Sequence, residues 1–414
     1  MLDLNFVSSI VKHNILEKLF AESETKKIIC FGTGEEAVRA KENELRDIEV
    51  EYFCDNYVDR YNTEFYGRPV HPQGRVREEN MDEIVVVICL PFKSVPVIYR
   101  QLCDLGVKHI FASCLFSHHE REMLSDRFSG EYSFTDRRKG SENLLIILSG
   151  YKEYLWDIVF KRITRFLPSN YDVCILCAGR DVLQMSELAE KNGWSYLTTS
   201  ENKPSLAQNI AIAIHKQARK VFRLDEDIFI AEGYFEKMEW SVENIAKTNL
   251  CRAGMLAPLI PVNVFGYIPF IEKLGLTAQM QKRFGERIAI NGAGETHNNA
   301  DFVRFLWDNT LPFDKLAQWF YNNATNWQRS PYRFSLCAIL FKRKLWEEMG
   351  GFDVGAEGEL GTEEEHISSF CSEQFLACYV NTNILAGHLS YAPQNEMMME
   401  YFEEHKRMFD IIDA

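Results

Sequence analysis

Short apolar runs alternate with amphipathic stretches along most of this chain. Lys27-Ile28-Ile29-Cys30-Phe31 ends at Gly32-Thr33-Gly34, and Glu35 to Leu45 follows with helical spacing. Val50 to Cys54 forms a second run closed by Asp55-Asn56, and Glu83 to Leu90 forms a third around consecutive valines. A helix is predicted from Val95 to Leu105, then Gly106 and a strand over His109-Ile110-Phe111. Runs this short, apolar throughout and partly β-branched, read as strands buried on both faces. Their alternation with helices predicts a parallel sheet. Ahead of them, Phe6, Ile10, Ile15 and Leu19 share one face of a predicted helix from Leu4 to Ala21.

The pattern lapses between Ser117 and Glu142, a charged stretch containing Asp136-Arg137-Arg138-Lys139-Gly140-Ser141. It then begins again. Leu144–Leu148, Tyr171–Cys177, Trp194–Leu197 and Val221–Leu224 read as strands, with helices over Tyr154–Phe166, Val182–Asn192 and Ser205–Ala218 between them. Pro261 to Arg329 reads as aromatic-rich and irregular. A strand returns within Tyr332–Phe341, followed by a helix through Met349, a glycine-rich acidic loop and a closing helix from Glu396 to Phe409. The fold class expected is α/β in two modules. Boundaries follow as an N-terminal helix over 1–25, a Rossmann-like sheet over 26–116, a linker over 117–142, the larger module over 143–390 and a C-terminal helix over 391–414.

Composition narrows the function classes. Lys and Arg number 46 against 60 Asp and Glu, a net charge of −14, which argues against a protein held by nucleic-acid phosphates or anionic lipid. No apolar run approaches the roughly 18 residues that span a bilayer, and Asp3 and Glu17 interrupt the N-terminus where a signal peptide would be apolar. The 11 cysteines are scattered, several inside strand-like runs, so reduced buried thiols in a cytoplasmic protein are expected. Cys174 and Cys177 form a C-x-x-C, but three residues apart on a strand they face opposite sides and suit neither zinc nor redox chemistry. His118-His119 reads as a solvated pair, and Trp319, Tyr321, Trp327, Tyr332 and Phe334 read mostly as core, with a sugar-stacking lid as the rival.

Two constellations carry chemistry. Gly32-Thr33-Gly34-Glu35-Glu36-Ala37 is a G-x-G-x-x-A turn between strand and helix, with Asp55 ending the next strand. Gly32 and Gly34 could admit a pyrophosphate and Asp55 could bind a ribose hydroxyl, although Glu35 and Glu36 place negative charge where that phosphate would sit. The other reading is a tight turn without a ligand. Further on, Asp225-Glu226-Asp227 ends an apolar strand. Alternation puts Asp225 and Asp227 on one side, a pair suited to Mg²⁺ or Mn²⁺ on a diphosphate.

Asn143 to about Ser390 resembles glycosyltransferases of the GT-A fold, most closely family 2. The resemblance runs through Asn202, Ser205 to Asn209, the Asp225-Glu226-Asp227 triplet, Ser335–Phe341 with Lys342-Arg343, Gly350-Gly351-Phe352-Asp353, Gly361-Thr362-Glu363-Glu364-Glu365-His366 and Ile384-Leu385-Ala386-Gly387-His388. It implies a nucleotide-sugar donor, a glycan or lipid-linked glycan acceptor of bacterial surface assembly, and Mn²⁺ or Mg²⁺ as cofactor. It further implies Glu364 as catalytic base, Asp227 and His388 as metal ligands, and Asp225, Asn209 and Glu363 around the donor. The family's base-reading acid at the end of the second strand is missing. Either Asp181 takes that role or the base is read differently. The segment around Gly32, Asp55-Asn56 and Gly67-Arg68-Pro69-Val70 resembles the small Rossmann-like domain of some bacterial sugar-modifying enzymes. That leaves nucleotidyl transfer, or sugar-nucleotide modification by the first module, as alternative activities, and a non-enzymatic scaffold as the bland one. Homo-oligomerisation stays open.

Overall fold

The computed structural model describes residues 15–91, 94–116, 127–248, 252–263, 265–285, 295–323, 326–330 and 335–411. The chain divides into two compact units: Met1–Ser129 with Trp346–Gly351, and Gly130–Leu345 with Phe352–Ala414. Of the predicted N-terminal helix, α1 is described over Ile15–Ser23. His118, His119, Tyr332 and Phe334 lie outside the described residues.

In the first unit the strands are β1 (Lys27–Phe31), β2 (Val50–Asp55), β3 (Glu64–Phe65), β4 (Arg68–Pro72), β5 (Ile84–Ile88) and β6 (Ile110–Ala112), in spatial order β3-β4-β2-β1-β5-β6. All pairs are parallel except β3 with β4. Helices α2 (Glu35–Glu42) and α3 (Val95–Asp104) make the crossovers. Every residue of β5 is buried, as its unbroken β-branched run requires. The β3–β4 hairpin turns on Tyr66 and Gly67, both at positive φ (50° and 69°), as a two-residue turn of the primed type demands.

The second unit is built on a mixed nine-stranded sheet. Its strands are β7 (Tyr132–Thr135), β8 (Asn143–Leu148), β9 (Tyr171–Ala178), β10 (Ser195–Thr199), β11 (Lys220–Asp225), β13 (Ala253–Leu259), β14 (Trp327–Arg329), β15 (Ala338–Lys342) and β16 (Ala377–Leu385). The order is β14-β16-β13-β15-β11-β8-β9-β10-β7. The run β11-β8-β9-β10 is parallel, while β15 enters antiparallel to both β11 and β13. A separate two-stranded ribbon pairs β12 (Ile228–Phe229) with β17 (Gly387–His388). Helices α4 (Glu153–Phe166), α5 (Leu183–Asn192) and α6 (Pro204–Ile214) follow their strands as the alternation predicts, and α7 (Tyr234–Ile245) adds a helix after β12.

Three expectations change. Residues 132–135, read as linker, pair with β10 as an edge strand, because Tyr132 to Thr135 alternate against Thr199 to Tyr196. The stretch from Pro261 is not irregular but holds short helices: α8 (Tyr267–Lys273), α9 (Thr277–Phe284), α10 (Glu295–Asn298), α11 (Ala300–Asp308) and α12 (Phe313–Tyr321). Phe302, Val303, Phe305 and Leu306 in α11, and Phe313, Ala317 and Phe320 in α12, are buried at helical spacing. After α13 (Arg343–Met349), the acidic run Glu363–Glu365 is the first turn of α14 (Thr362–Glu373) rather than loop, so its charges face a helix N-terminus that favours them. The closing helix α15 (Asn395–Phe409) belongs to the second unit. Fully buried Arg162 of α4 donates to the Phe409 and Ile230 carbonyls and to Asp314, and so ties the end of α15 to the core. The 10 cysteines among the described residues are free, and Cys174 and Cys177 are both buried.

Candidate functional site

At the C-terminal ends of β8, β9 and β11 the second unit encloses a cavity of about 560 Å³. Open α/β sheets place ligands at this end of their strands. Asp225, Asp227, Glu363, Glu364 and His388 all line it, as do Lys152, Arg223, Glu226 and Asn202.

Each acid arrives by a different local rule. Asp225 is the last residue of β11, and Glu226 turns the other way. Glu226 is buried and accepts the backbone N–H groups of Gly150, Tyr151 and Lys152 at 2.8, 2.8 and 3.0 Å, together with the Trp156 indole N–H at 2.5 Å. It thereby fixes the turn between β8 and α4. Asp227 precedes β12, and pairing of Ile228 with His388 brings the imidazole to the carboxylate. His388 Nε2 lies 2.9 Å from Asp227 Oδ2. The Lys152 ammonium donates to the same oxygen, and its next neighbour is the Ser390 carbonyl at 3.5 Å. Glu363 and Glu364 stand in the first turn of α14, after Gly361 with φ 88°, a left-handed value that glycine accommodates. Buried Glu363 accepts from Ser205 Oγ at 2.8 Å, and half-buried Glu364 accepts the Leu336 N–H at 3.1 Å.

Arg223 sits two residues before Asp225, on the same strand face. Its Nη2 is 3.1 Å from Asp225 Oδ1 and 3.5 Å from Glu363 Oε1, while Nε and Nη1 have no hydrogen-bond partner among the described residues. The carboxyls titrate unequally. Burial pushes Asp225 up to about 6, against the pull of Arg223. Burial also opposes ionisation of Asp227, but the charges of His388 and Lys152 hold it well below the usual carboxylate range. Burial disfavours the Lys152 ammonium, and Asp227 outweighs this and raises its pKa. Burial raises Glu226 too, although its N–H partners pull it down.

Two residues expected around the donor lie elsewhere. Asn209 is fully buried, with its amide donating to the Phe352 carbonyl and accepting the Phe352 N–H, both at 2.8 Å. It clamps the Phe352 backbone and does not line the cavity. Exposed Asp181 accepts from the Tyr196 hydroxyl at 2.9 Å and lines a second, shallower pocket with Tyr132 and Thr198. Trp319 and Trp327 are absent from the cavity wall, whereas Tyr321 is buried as expected of core. In the first unit, Asp55 accepts the Thr33 N–H at 3.1 Å, the Thr33 hydroxyl at 2.6 Å and the Tyr57 N–H at 3.0 Å, with Arg60 at 3.2 Å. Gly32 is required by the chain itself, because a Cβ there would stand 2.6 Å from the Cys89 carbonyl oxygen. The amide and the acid that a dinucleotide would use are thus already joined to each other. Nothing in this geometry assigns Gly34 a ligand.

The second-unit cavity suits a divalent ion better. Its wall carries Asp225, Glu226, Asp227, Glu363 and Glu364 against Lys152 and Arg223, an acidic excess that an anionic diphosphate meets only with added positive charge. Asp227 and His388 offer a carboxylate oxygen and an imidazole nitrogen, donors suited to Mn²⁺. Among the described residues no group of three His, Cys, Asp or Glu converges on one point. Ions that are shared with substrate phosphates use one or two protein carboxylates and keep other positions for phosphate and water. Also among the described residues, no helix is long and apolar enough to cross a membrane.

Lys152, Arg223 and the turn-fixing role of Glu226 were not anticipated. Arg223 had a readable signal, its two-residue offset from Asp225. The other two depend on closure of the β8–α4 turn against β11, which no local pattern reports.

No known protein-family profile matches the chain, and no curated protein sequence matches it. Among solved structures it is similar to the crystal structure of GalNAc-T7 with UDP, GalNAc and Mn²⁺, at 14% identity and a TM-score of 0.39, over 61% of this chain and 45% of that one. It is also similar to the crystal structure of a mycobacterial protein, at 12% identity and a TM-score of 0.35, over 67% of this chain and 78% of that one. The chain thus spans less than half the length of GalNAc-T7 in that structure.

Proposed function

We propose that the second-unit cavity transfers a sugar from a nucleoside-diphosphate donor to a hydroxyl acceptor, on a GT-A-like scaffold. The supporting observation is convergence: Asp225 and Asp227, Glu363 and Glu364, and His388 come from distant segments of sequence and line one cavity. Asp227 and His388 would hold Mn²⁺ or Mg²⁺. Such an ion supplies positive charge to the diphosphate as it leaves. Asp225 faces the donor and Arg223 sets the charge behind it.

Glu364 is the proposed base. The acceptor oxygen attacks the anomeric carbon, the bond from that carbon to the diphosphate oxygen breaks, and the acceptor proton passes to the Glu364 carboxylate. Products are the glycoside and a nucleoside diphosphate, with inversion at the anomeric carbon. Hexosyl transfer in bacterial surface glycan assembly, onto a glycan or lipid-linked acceptor, is the setting that the motif resemblance favours.

The test is turnover of nucleotide sugars with Mn²⁺, with products separated by chromatography. Release of nucleoside diphosphate is expected. Release of pyrophosphate would instead establish nucleotidyl transfer, and no turnover or binding with any nucleotide sugar would remove the proposal.

A further inference from the structure

Lys152 has no role in that reaction as written, yet it occupies a decisive place. Its ammonium bonds the carboxylate oxygen of Asp227 that His388 also approaches. Its backbone is fixed, because Glu226 accepts the Lys152 N–H. Only the side chain is left to move, and its head lines the cavity.

We infer that Lys152 is an internal counter-ion that holds the metal position at Asp227 and is handed over to the donor diphosphate when metal binds. The inference rests on the proposed diphosphate site. A divalent ion placed on Asp227 meets the ammonium as a like charge at contact distance, so Lys152 must leave. A largely desolvated ammonium that leaves its carboxylate needs another anion, since burying it unpaired is costly. The remaining wall acids are engaged: Glu226 by the turn, Glu363 by Ser205, Glu364 by the Leu336 N–H and Asp225 by Arg223. A diphosphate entering with the metal supplies the anion. Metal alone therefore binds against Lys152, whereas metal with diphosphate binds with it. By linkage each ligand must strengthen the other equally.

The test titrates Mn²⁺ by electron paramagnetic resonance on the full chain, alone and with saturating UDP, GDP, ADP or CDP. The variants are Lys152→Met and Lys152→Arg. In Lys152→Met, Mn²⁺ alone binds on the order of tenfold tighter than in the native chain, while nucleoside diphosphate in the presence of Mn²⁺ binds on the order of tenfold weaker. These opposite changes are the signature, since general structural damage weakens both. Lys152→Arg keeps the charge and retains the native coupling. It also serves as the folding control should the methionine variant be unstable, for a native-like Mn²⁺ affinity in both variants overturns the inference. Diphosphate binding that requires Mn²⁺ but ignores Lys152 overturns the counter-ion role and leaves the site reading intact. Absence of any diphosphate binding, with or without Mn²⁺, overturns both.

Discussion

The two units each contain a strand-to-helix turn closed by an acid at the end of a paired neighbouring strand, and the two turns end differently. In the first, Asp55 at the end of β2 takes the Thr33 amide and hydroxyl, and Arg60 covers it. In the second, Glu226 takes three amides of the β8–α4 turn, but its neighbours Asp225 and Asp227 still face a cavity. Motif strength ran the other way. The G-x-G turn with its distant Asp looks like a nucleotide fingerprint, while an acidic triplet looks like a solvated end. The informative quantity is what remains after local groups satisfy one another. At Asp55 little is left over; beside Glu226, an acidic wall with one buried and one half-buried cation is left over.

The sharpest way to break this contrast is at the proposed base. Glu364→Gln keeps a hydrogen-bond acceptor for the Leu336 N–H and removes the proton-accepting carboxylate. A fall in turnover of about 10²–10⁴-fold is expected, with donor affinity unchanged. Native-like turnover in steady-state assays would return Glu364 to a structural role.

The two closing acids should separate next. Glu226→Ala strands the buried Gly150 amide and Trp156 indole and two partly buried amides, a loss on the order of 3 kcal/mol by chemical denaturation, together with weakened donor binding. Asp55→Ala frees groups that are partly exposed, so the loss is about 1–2 kcal/mol, and turnover is untouched. NAD(H) binding by the native chain that Asp55→Ala abolishes, read by fluorescence titration, would collapse the comparison.

Asp225 gives a pH test of similar size. Its folded pKa of about 6 lies above the ordinary 3.8, so the native carboxyl keeps its proton where the unfolded one has lost it. A raised acid contributes stability that is complete below the unfolded value and lost as pH rises through the folded one. Between pH 4 and pH 6 the native chain therefore loses on the order of 3 kcal/mol from this group. Asp225→Asn should flatten that slope in urea titrations. An unchanged slope would mean that Asp225 is ionised without penalty.

Most of the frame is legible from pattern because it depends on local rules. Buried strands are apolar throughout, as in β5, or nearly so, as in β9 with its single acid Asp172, and turns follow glycine. In the aromatic-rich stretch after Pro261 the scattered Phe and Trp mask the ordinary helical spacing that α11 and α12 carry. Asp225, Asp227, Glu363, Glu364 and His388 line one cavity. Asn209 lies off the cavity wall: Ser205 to Ala213 of α6 are buried on every side, so periodicity names no cavity face. Asp181 lines the second pocket instead, because the chain past β9 turns toward Tyr196. Lys152 meets Asp227 across 75 residues of sequence, a distance over which spacing carries no information.

The smallest effect tests whether His388 is held in place by packing. Gly387 and His388 form the ribbon with Phe229 and Ile228, and a Cβ on Gly387 would stand 2.5 Å from the Trp307 ring and 3.3 Å from both Phe229 and Phe313. Those rings are fully buried, and the Trp307 indole donates to the Leu389 carbonyl at 3.0 Å, so none can swing aside cheaply. Gly387→Ala should cost about 1–3 kcal/mol by overpacking. The strain falls on the residue next to His388, so the imidazole shifts from Asp227 and Mn²⁺ affinity falls together with stability. A glycine that merely relieves a loop would lower neither. Loss of stability with unchanged Mn²⁺ affinity would show that His388 is not held by this packing, and would leave Asp227 as the metal's principal anchor.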